Sequence, residues 1–491
     1  MTNWRASTMA VQHCVLGLLL LALSAANASA AQATPPRELL LENVRVVDFS
    51  DPGAASYDET SLLLRAGRIA YVGAAARAEA GSDAVVLDGA GRTLLPGLND
   101  LHVHLWDEAE LGAYLAHGVT TIRNLSGMPF HLELAARIDR GEVAGPRLLT
   151  SGPILNSRGP NLQVNHQVVE DGPEARAAVR AQHAAGYRRL KVYSNLSREA
   201  YEAARDEAAA LGMDLTGHPP EGRRGPGVPF DKPFAIAFEE VLDDGFETLE
   251  HVESIAWHGL RGRQDRDGAR ELARRIAAAD VPVTATLVAH HNLYRAASEG
   301  AAFLERPGTE WLNPVIQAAE APVHEAWLAA DAGAALEADR FYRDVAGIFD
   351  EEGVILVAGS DAGIFSNSPG ISLIDEIRLL VAAGLTPYRA LRSATRNAAI
   401  ALGEARSGCT SSGCTADLVL YDCDPLADIE CLAEPHTVIR QGRAYPPAAL
   451  AALRAQAALP DTRRTLGNLR TGLAAQGGDP SVVDDLGPGG D

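Results

Sequence analysis

Two histidines stand two residues apart in the apolar segment Leu-His-Val-His-Leu, residues 101–105. Side chains at positions i and i+2 of a β-strand point to the same side, so a strand here would present both imidazoles together. Paired imidazoles can bind a divalent metal ion, or they can be core histidines that hydrogen-bond to their surroundings. The pair alone does not decide between these alternatives.

Four more polar residues fall at the carboxyl ends of predicted strands: Lys191, His218, His251 and Asp361. In a barrel of parallel strands the carboxyl ends meet at one mouth, where barrel enzymes place their active sites. We therefore expect these four side chains and the two histidines to converge on one site.

The residue types suit metal-assisted hydrolysis. Four imidazoles and a carboxylate favour Zn²⁺ or a similar ion. The amine of a buried, neutral Lys191 can add CO₂ to form a carbamate, which would bridge two divalent ions that also share a hydroxide. Asp361 would bind one ion, take the proton of the attacking water and pass it to the leaving group.

The elements that must position this site are short apolar strands that alternate with helical segments. The predicted strands are residues 101–105, 119–125, 147–151, 189–193, 214–218, 248–252, 283–287 and 355–361. Eight strands, each followed by a helix, predict an α/β fold, a (β/α)₈ TIM barrel. Residues 288–353 are too many for one connection, so we expect a helical insertion over the barrel mouth.

Segments of β pattern flank the barrel, and the later one could complete the earlier one as a small β module. The full division is a signal peptide (1–30), a linker (31–38), a first β segment (39–95), the barrel (96–405), a second β segment (406–446) and a C-terminal segment (447–491). The C-terminal segment should begin as an Ala-rich helix. Its Gly, Pro and Asp content predicts disorder from about residue 473.

The N-terminus is typical of a secretory signal. Arg5 precedes the apolar run 15–23, and Ala-Ser-Ala at 28–30 is a cleavage site. The run is about half of the roughly 20 residues that span a bilayer. We expect export to the periplasm or beyond, with no stable membrane insertion after cleavage; an uncleaved anchor is the alternative.

The cysteines agree with an oxidising compartment. Cys14 would leave with the signal, while Cys409, Cys414, Cys423 and Cys431 remain in one short segment. Two disulfides are expected, with three pairings open. A four-cysteine metal site is the alternative, although no C-x-x-C pair is present.

The formal net charge of −21 argues against nucleic acid as a partner, because phosphates would be repelled. We expect a small-molecule substrate instead. The sequence leaves the oligomeric state open, a homo-oligomer included.

The six chemistry-bearing residues, on successive strands, resemble those of the metal-dependent amidohydrolase superfamily. The flanking segments 96–104, 114–123, 416–420 and 438–442 are similar to its barrel entry and closing strands, and the likeness covers about residues 39–445. The resemblance implies a barrel with a composite β-sandwich domain, which residues 39–95 and 406–446 would form. It also implies that His102, His104 and Asp361 hold one ion, that His218 and His251 hold the other, and that carboxylated Lys191 bridges them.

Lys191 separates this chain from single-metal branches such as imidazolonepropionase and the cytosine and adenosine deaminases. The likeness is closer to prolidase-like members, which cleave amide bonds in dipeptides or N-acyl amino acids. We therefore predict an amide hydrolase. A lactonase or esterase on the same site is one alternative, and a non-catalytic metal- or solute-binding homologue is another.

Substrate contacts are predicted from the loops and strand ends around the mouth. Tyr193 would polarise the substrate carbonyl or bind a carboxylate, and Arg123 would meet a substrate carboxylate or brace a metal ligand. His166, His290 and His291 would contact the substrate from the loops. Strand alternation turns Glu253 towards the His251 side and Glu250 away from it.

Overall fold

The structure is a computed structural model that describes residues 37–51, 56–160, 162–224 and 234–486. The expected signal peptide and all but the last two residues of the expected linker lie outside the described residues. Among the described residues, no helix is long and apolar enough to cross a membrane.

The strands are numbered in chain order. They are β1 (Glu38–Asp48), β2 (Ser56–Arg65), β3 (Arg68–Val72), β4 (Val85–Pro96), β5 (Leu98–Val103), β6 (Val119–Asn124), β7 (Arg147–Thr150), β8 (Ile154–Asn156), β9 (His166–Val168), β10 (Arg189–Val192), β11 (Asp214–Gly217), β12 (Phe246–Glu250), β13 (Val283–Thr284), β14 (Leu356–Val357), β15 (Leu418–Tyr421), β16 (Thr437–Arg440) and β17 (Arg443–Tyr445).

The α-helices are named by their bounds. They are Ala74–Ala78, Leu111–Ala116, Pro129–Asp139, Gly172–Ala185, Arg198–Leu211, Val252–Leu260, Arg266–Ala278, Leu287–Glu299, Ala301–Leu304, Pro314–Ala319, Ala321–Leu328, Ala332–Glu351, Ile371–Ala382, Pro387–Ser393, Arg396–Ala401, Pro447–Ala457 and Thr462–Ala475.

The central region of the chain is TIM-barrel-like. Its parallel strands form two sheets, in the orders β5-β6-β7 and β14-β13-β12-β11-β10-β8-β9. Backbone hydrogen bonds join the edges of the two sheets: Asp361 N donates to His102 O at 2.8 Å, and Gly152 N donates to Arg189 O at 2.9 Å. The strands therefore follow one another in space in the order expected for the barrel.

An additional β domain takes strands from both sides of the barrel segment. Its sheet has the order β17-β16-β15-β4-β1-β2-β3, in which β4 pairs parallel with β1 and antiparallel with β15. One face buries a small apolar core that includes Leu41, Leu62, Leu94 and Leu418. The N-terminal and C-terminal segments are therefore one folding unit.

The C-terminal segment differs from its prediction. Disorder from about residue 473 is wrong as far as Leu486, because the helix Thr462–Ala475 and a 3₁₀ turn at Pro480–Leu486 are both formed. Leu469, Leu473 and Val483 are buried against Met128 and neighbouring residues of the barrel. Burial of these apolar side chains outweighs the Gly- and Pro-rich composition.

Both expected disulfides are present, and the structure decides their pairing as Cys409–Cys414 and Cys423–Cys431. Each joins residues that are close in sequence and belong to the returning segment of the β domain.

Candidate metal centre and active site

The six predicted metal-site residues lie together at the carboxyl end of the barrel strands. Lys191 Nζ is 3.5 Å from His102 Nε2, and Asp361 Oδ1 is 3.1 Å from His104 Nε2. The His251 ring centroid lies 4.4 Å from the centroid of His102 and 4.4 Å from that of His218. The structure thus brings the six residues together in one place.

Several of these residues stand just beyond their strands instead of on them. His218 follows β11, His251 follows β12, and Asp361 comes four residues after β14. His251 and Asp361 adopt positive φ angles of 68° and 54°, in the left-handed region that non-glycine residues seldom enter. Such backbone strain is characteristic of functional sites, where surrounding structure holds the residue in place.

In three of the four histidines, Nδ1 contacts an oxygen of a neighbouring side chain. His102 Nδ1 contacts Glu250 Oε2 at 2.7 Å, His104 Nδ1 contacts Ser126 Oγ at 2.9 Å, and His251 Nδ1 contacts Thr286 Oγ1 at 2.7 Å. The Nε2 atoms of His102 and His104 face Asp361 Oδ1, at 3.4 and 3.1 Å. This pattern fixes ring orientation and is typical of metal-ligating histidines.

Within the described residues, the buried His218 Nδ1 has no hydrogen-bond partner, and Asp361 Oδ1 has only the Nε2 atoms of His102 and His104 nearby, at 3.4 and 3.1 Å. Buried polar atoms are normally paired, so donor atoms left in this state indicate ligands for a cation. His102, His104 and Asp361 offer ligand atoms within 4.8 Å of one another. The donor set therefore fits a divalent ion.

Burial favours the uncharged forms of the nitrogen donors. It lowers the pKa of His251 to about 4, and holds the pKa values of His102 and His218 well below the usual histidine range. Burial also lowers the pKa of the Lys191 amine to about 8. Neutral imidazoles are the form that binds metal ions.

Arg123 does not contact the cavity, so its prediction as a substrate-binding residue is wrong. Its side chain is fully buried beneath the site, where Nη2 donates to Glu250 Oε1 at 2.8 Å and Nη1 donates to Glu247 Oε2 at 2.7 Å. The alternative role, bracing a metal ligand, matches this geometry, because Glu250 in turn holds His102.

Glu250 is the functional residue that sequence reasoning missed. Alternation assigned it to the face opposite His251, but the backbone leaves the strand at His251, so both side chains reach the site. Arg123 on β6 was the feature of the sequence that could have indicated Glu250, because a buried cation inside a barrel requires a buried carboxylate near it. Glu253, which alternation turned towards the His251 side, lies in the first turn of the helix Val252–Leu260 and lines the cavity.

A cavity of about 720 Å³ opens above the cluster, with Tyr193, Trp257, His290 and Trp327 among its lining residues. His290 and Trp327 belong to the helical insertion, which therefore covers the mouth as expected.

His291 does not reach the cavity, and its prediction as a substrate contact is wrong. Its Nδ1 is bonded to Asp339 at 3.0 Å. Neighbouring residues on the helix Leu287–Glu299 point about 100° apart, so His290 and His291 cannot both face the same cavity.

Tyr193 stands between the metal cluster and the cavity wall. Its ring centroid lies 3.9 Å from that of His218 and 4.5 Å from that of His166. Burial raises the pKa of Tyr193 well above the usual tyrosine range, so the hydroxyl keeps its proton and can donate a hydrogen bond. His166 lies behind this ring, with Nε2 buried and unpartnered among the described residues.

The model of the Amidohydrolase family matches residues 93–445 of this chain. The chain belongs to the Amidohydrolase family. The resemblance inferred from the site residues is thereby confirmed, and membership makes the protein a hydrolase of carbon–nitrogen bonds.

Individual relatives are distant. The chain is 24% identical to an imidazolonepropionase from Idiomarina loihiensis over 437 residues, which cover 79% of this chain and 92% of that protein. A solved bottromycin amidohydrolase matches with a TM-score of 0.69 at 23% identity, over 94% of this chain and 96% of that one. A structure assigned as a prolidase, from Bifidobacterium longum, matches with a TM-score of 0.61 at 24% identity, over 86% and 100%. At this identity the solved structures establish the fold.

Proposed function

We propose that this protein is an exported amidohydrolase that cleaves the amide bond of a dipeptide or N-acyl amino acid at a site for two divalent ions. The observation that carries the proposal is Lys191: its buried amine lies 3.5 Å from His102 Nε2, inside the cluster of imidazoles and Asp361. A cation in that place opposes metal binding, whereas its carbamate would be a bridging ligand.

In this proposal His102, His104 and Asp361 hold one ion, His218 and His251 hold the other, and carboxylated Lys191 is shared. The favoured metal is Zn²⁺. When bound, the ions would supply an activated water or hydroxide and polarise the scissile carbonyl.

The protein's own groups would manage the protons and the substrate. The Asp361 carboxylate accepts a proton from the attacking water and transfers it to the amide nitrogen, so that the C–N bond breaks and a neutral amine leaves. The protonated Tyr193 hydroxyl donates a hydrogen bond to the substrate. Glu250, fixed by Arg123, keeps His102 in the ligating orientation.

The cavity wall supports a zwitterionic, partly apolar substrate. Trp257 and Trp327 provide aromatic faces, while Glu221, Glu253 and Arg224 provide charges of both signs. A dipeptide carries an ammonium, a carboxylate and apolar side chains. The prolidase-like neighbour supports this substrate class. Lys191 is an argument against the single-metal chemistry that the likeness to an imidazolonepropionase would suggest.

Export, barrel closure and the domain boundaries belong to the same proposal. The signal-like N-terminus and the two disulfides support a periplasmic or secreted protein. The hydrogen bonds between β5 and the residues after β14 support closure of eight strands into a barrel over residues 96–405.

The test is the Asp361→Asn variant, assayed with dipeptide and N-acyl amino acid libraries. We expect kcat to fall about 10³-fold, because the proton shuttle is lost, while the circular dichroism spectrum and thermal midpoint change little. Full activity of the variant, or hydrolysis of lactones but no amide, would contradict the proposal.

A further inference from the structure

A second cavity, of about 870 Å³, lies at the junction between the β domain and the barrel. It is lined by six arginines: Arg37, Arg65, Arg68, Arg147, Arg406 and Arg440. Its two lining carboxylates are Glu404 and Asp417. Such an excess of positive charge stands out in a chain with a net charge of −21. We call this cavity the arginine cleft.

The arginine cleft is separate from the metal centre. Arg147 is the first residue of β7, whereas the metal-site residues follow the carboxyl ends of the barrel strands. The cleft therefore lies at the opposite end of the barrel, the end that serves stability and not catalysis in this architecture.

Local ion pairs satisfy only some of this charge. Arg147 pairs with Glu404 at 2.7 Å, and Arg65 pairs with Glu38 at 2.8 Å. The side chains of Arg37 and Arg406 make no hydrogen bond or ion pair within the described portion of the chain. The cleft thus keeps cationic groups that can turn towards a ligand.

Arg440 provides an independent indication. Its side chain is only 6% exposed, its Nε has no hydrogen-bond partner among the described residues, and Nη1 lies at the long distance of 3.5 Å from Asp417 Oδ1. A guanidinium this deeply buried has lost most of its hydration, and one long contact does not replace it. An anion in the cleft would supply the missing acceptors.

We propose that the arginine cleft binds a small tetrahedral oxyanion, either free phosphate or a phosphate monoester. The planar guanidinium forks match the oxygen spacing of phosphate, and several arginines around one cavity favour a multiply charged ion over chloride. The strongly negative charge of the whole chain disfavours a long polyanion. Because Arg147 belongs to the barrel and Arg440 to the β domain, occupancy would also hold the two units together.

The test uses the metal-loaded full chain and isothermal titration with inorganic phosphate and, separately, glycerol 3-phosphate, at constant ionic strength set with chloride. We expect a site that Arg406→Ala weakens about tenfold, since one charged hydrogen-bonding group is lost. The control Arg463→Ala removes an exposed arginine outside the cleft and should bind as the wild type does. Hydrolytic activity should be the same in all three proteins.

Phosphate can also bind at the metal centre, and the variants separate the two sites. Binding that is equal in Arg406→Ala and Arg463→Ala, or no binding to the wild type at millimolar concentration, overturns the proposal. Tighter binding of glycerol 3-phosphate than of phosphate identifies an ester as the ligand, and the reverse identifies the free ion. If the Arg440→Lys variant folds, it should bind the anion more weakly than Arg406→Ala does. If that variant does not fold, the result for Arg406→Ala alone decides the question.

Discussion

Glu250 does not line the cavity, yet it fixes the orientation of His102, one of the proposed metal ligands. One carboxylate oxygen holds His102 Nδ1 at 2.7 Å, and the other accepts from Arg123 Nη2 at 2.8 Å. Thr248 and Thr216 donate to the same carboxylate, so its position is fixed from four directions. The orientation of His102 is therefore set by a polar network inside the barrel.

Replacement of this carboxylate should weaken the metal centre. Glu250→Gln keeps the shape but removes the charge that favours the ligating tautomer of His102. We expect metal affinity to fall about 10- to 100-fold, measured by competition with a chelator. The matched variant is Glu247→Gln, which also loses a carboxylate bound to Arg123 but does not contact His102. Equal metal loss in the two variants would show that Arg123, and not the Glu250–His102 contact, is what matters.

At the scale of single residues, sequence reasoning succeeded where strand ends dictated the position. Lys191, His218, His251 and Asp361 could be placed at one mouth because parallel strands bring their carboxyl ends together. For Arg123 the sequence left two roles open, and only the bracing role matches the structure. The prediction failed for Glu250, because alternation does not assign a side chain to a face when the backbone leaves the strand at the next residue.

At the scale of elements, the helical insertion between β13 and β14 gives the cavity one side of its wall. Trp327 on the helix Ala321–Leu328 faces His290 across the mouth, with ring centroids 6.2 Å apart. The length of the segment between β13 and β14 was enough to locate the insertion. It did not show which way the side chains of the insertion point. His290 and His291 looked equivalent in the sequence, and only the start of the helix at Leu287 determines which of them faces the substrate.

Truncation of the cavity tryptophan should affect substrate binding more than chemistry. We expect Trp327→Ala to raise KM about tenfold with little change in kcat, because apolar contact with the substrate is lost while the metal ligands stay in place. The control Trp311→Ala removes an aromatic ring of the same insertion that contacts His117 outside the cavity, and it should leave KM unchanged. Equal KM values for the Trp327→Ala variant and the wild type would argue against this wall as a substrate surface.

The helix Pro129–Asp139 contains a histidine that must be neutral in the folded state. His131 Nδ1 accepts from Met128 N at 2.9 Å, and Nε2 donates to Leu105 O at 2.8 Å. A proton on Nδ1 would face a backbone N–H. Burial lowers the pKa of His131 to about 4.

This histidine predicts acid sensitivity with a definite sign. The unfolded chain takes up a proton near pH 6.5 and the folded chain does so only near pH 4, so the free energy of unfolding falls as the pH decreases between these values. From pH 7 to pH 5 the contribution is about 2 kcal/mol. Urea unfolding of the wild type and of His131→Asn at both pH values measures this contribution to the free energy of unfolding. A pH dependence that is the same in both proteins would exclude His131 as its source.

At the scale of the whole molecule, strands from the two ends of the chain form one sheet, so the β domain cannot fold before the barrel segment between them is made. The alternation of short strands and helices was sufficient to predict a TIM-barrel-like fold for the central region of the chain. The joining of distant segments was accessible through the resemblance of 416–420 and 438–442 to closing strands. The sequence did not show that the C-terminal residues are ordered, because their ordered state depends on the barrel surface against which Leu469 and Leu473 pack.

The disulfides stabilise the returning segment of this sheet without contacting the active site. Replacing Cys409 and Cys414 together with serine should lower the free energy of unfolding by about 2 kcal/mol, because a loop of only a few residues is released. Activity at 25 °C should be preserved. Differential scanning calorimetry with a parallel activity assay checks both statements, and a large loss of activity in a folded variant would contradict them.

We propose that Lys191 makes this a site for two metal ions, and the number of ions bound per chain decides whether it does. The wild type, saturated with Zn²⁺ in the presence of bicarbonate and freed of excess metal, should contain two ions per chain by elemental mass spectrometry. Lys191→Met should contain at most one, because the shared ligand is missing. One ion in the wild type, unchanged by the substitution, would contradict the account and place the chain with the single-metal members of the family.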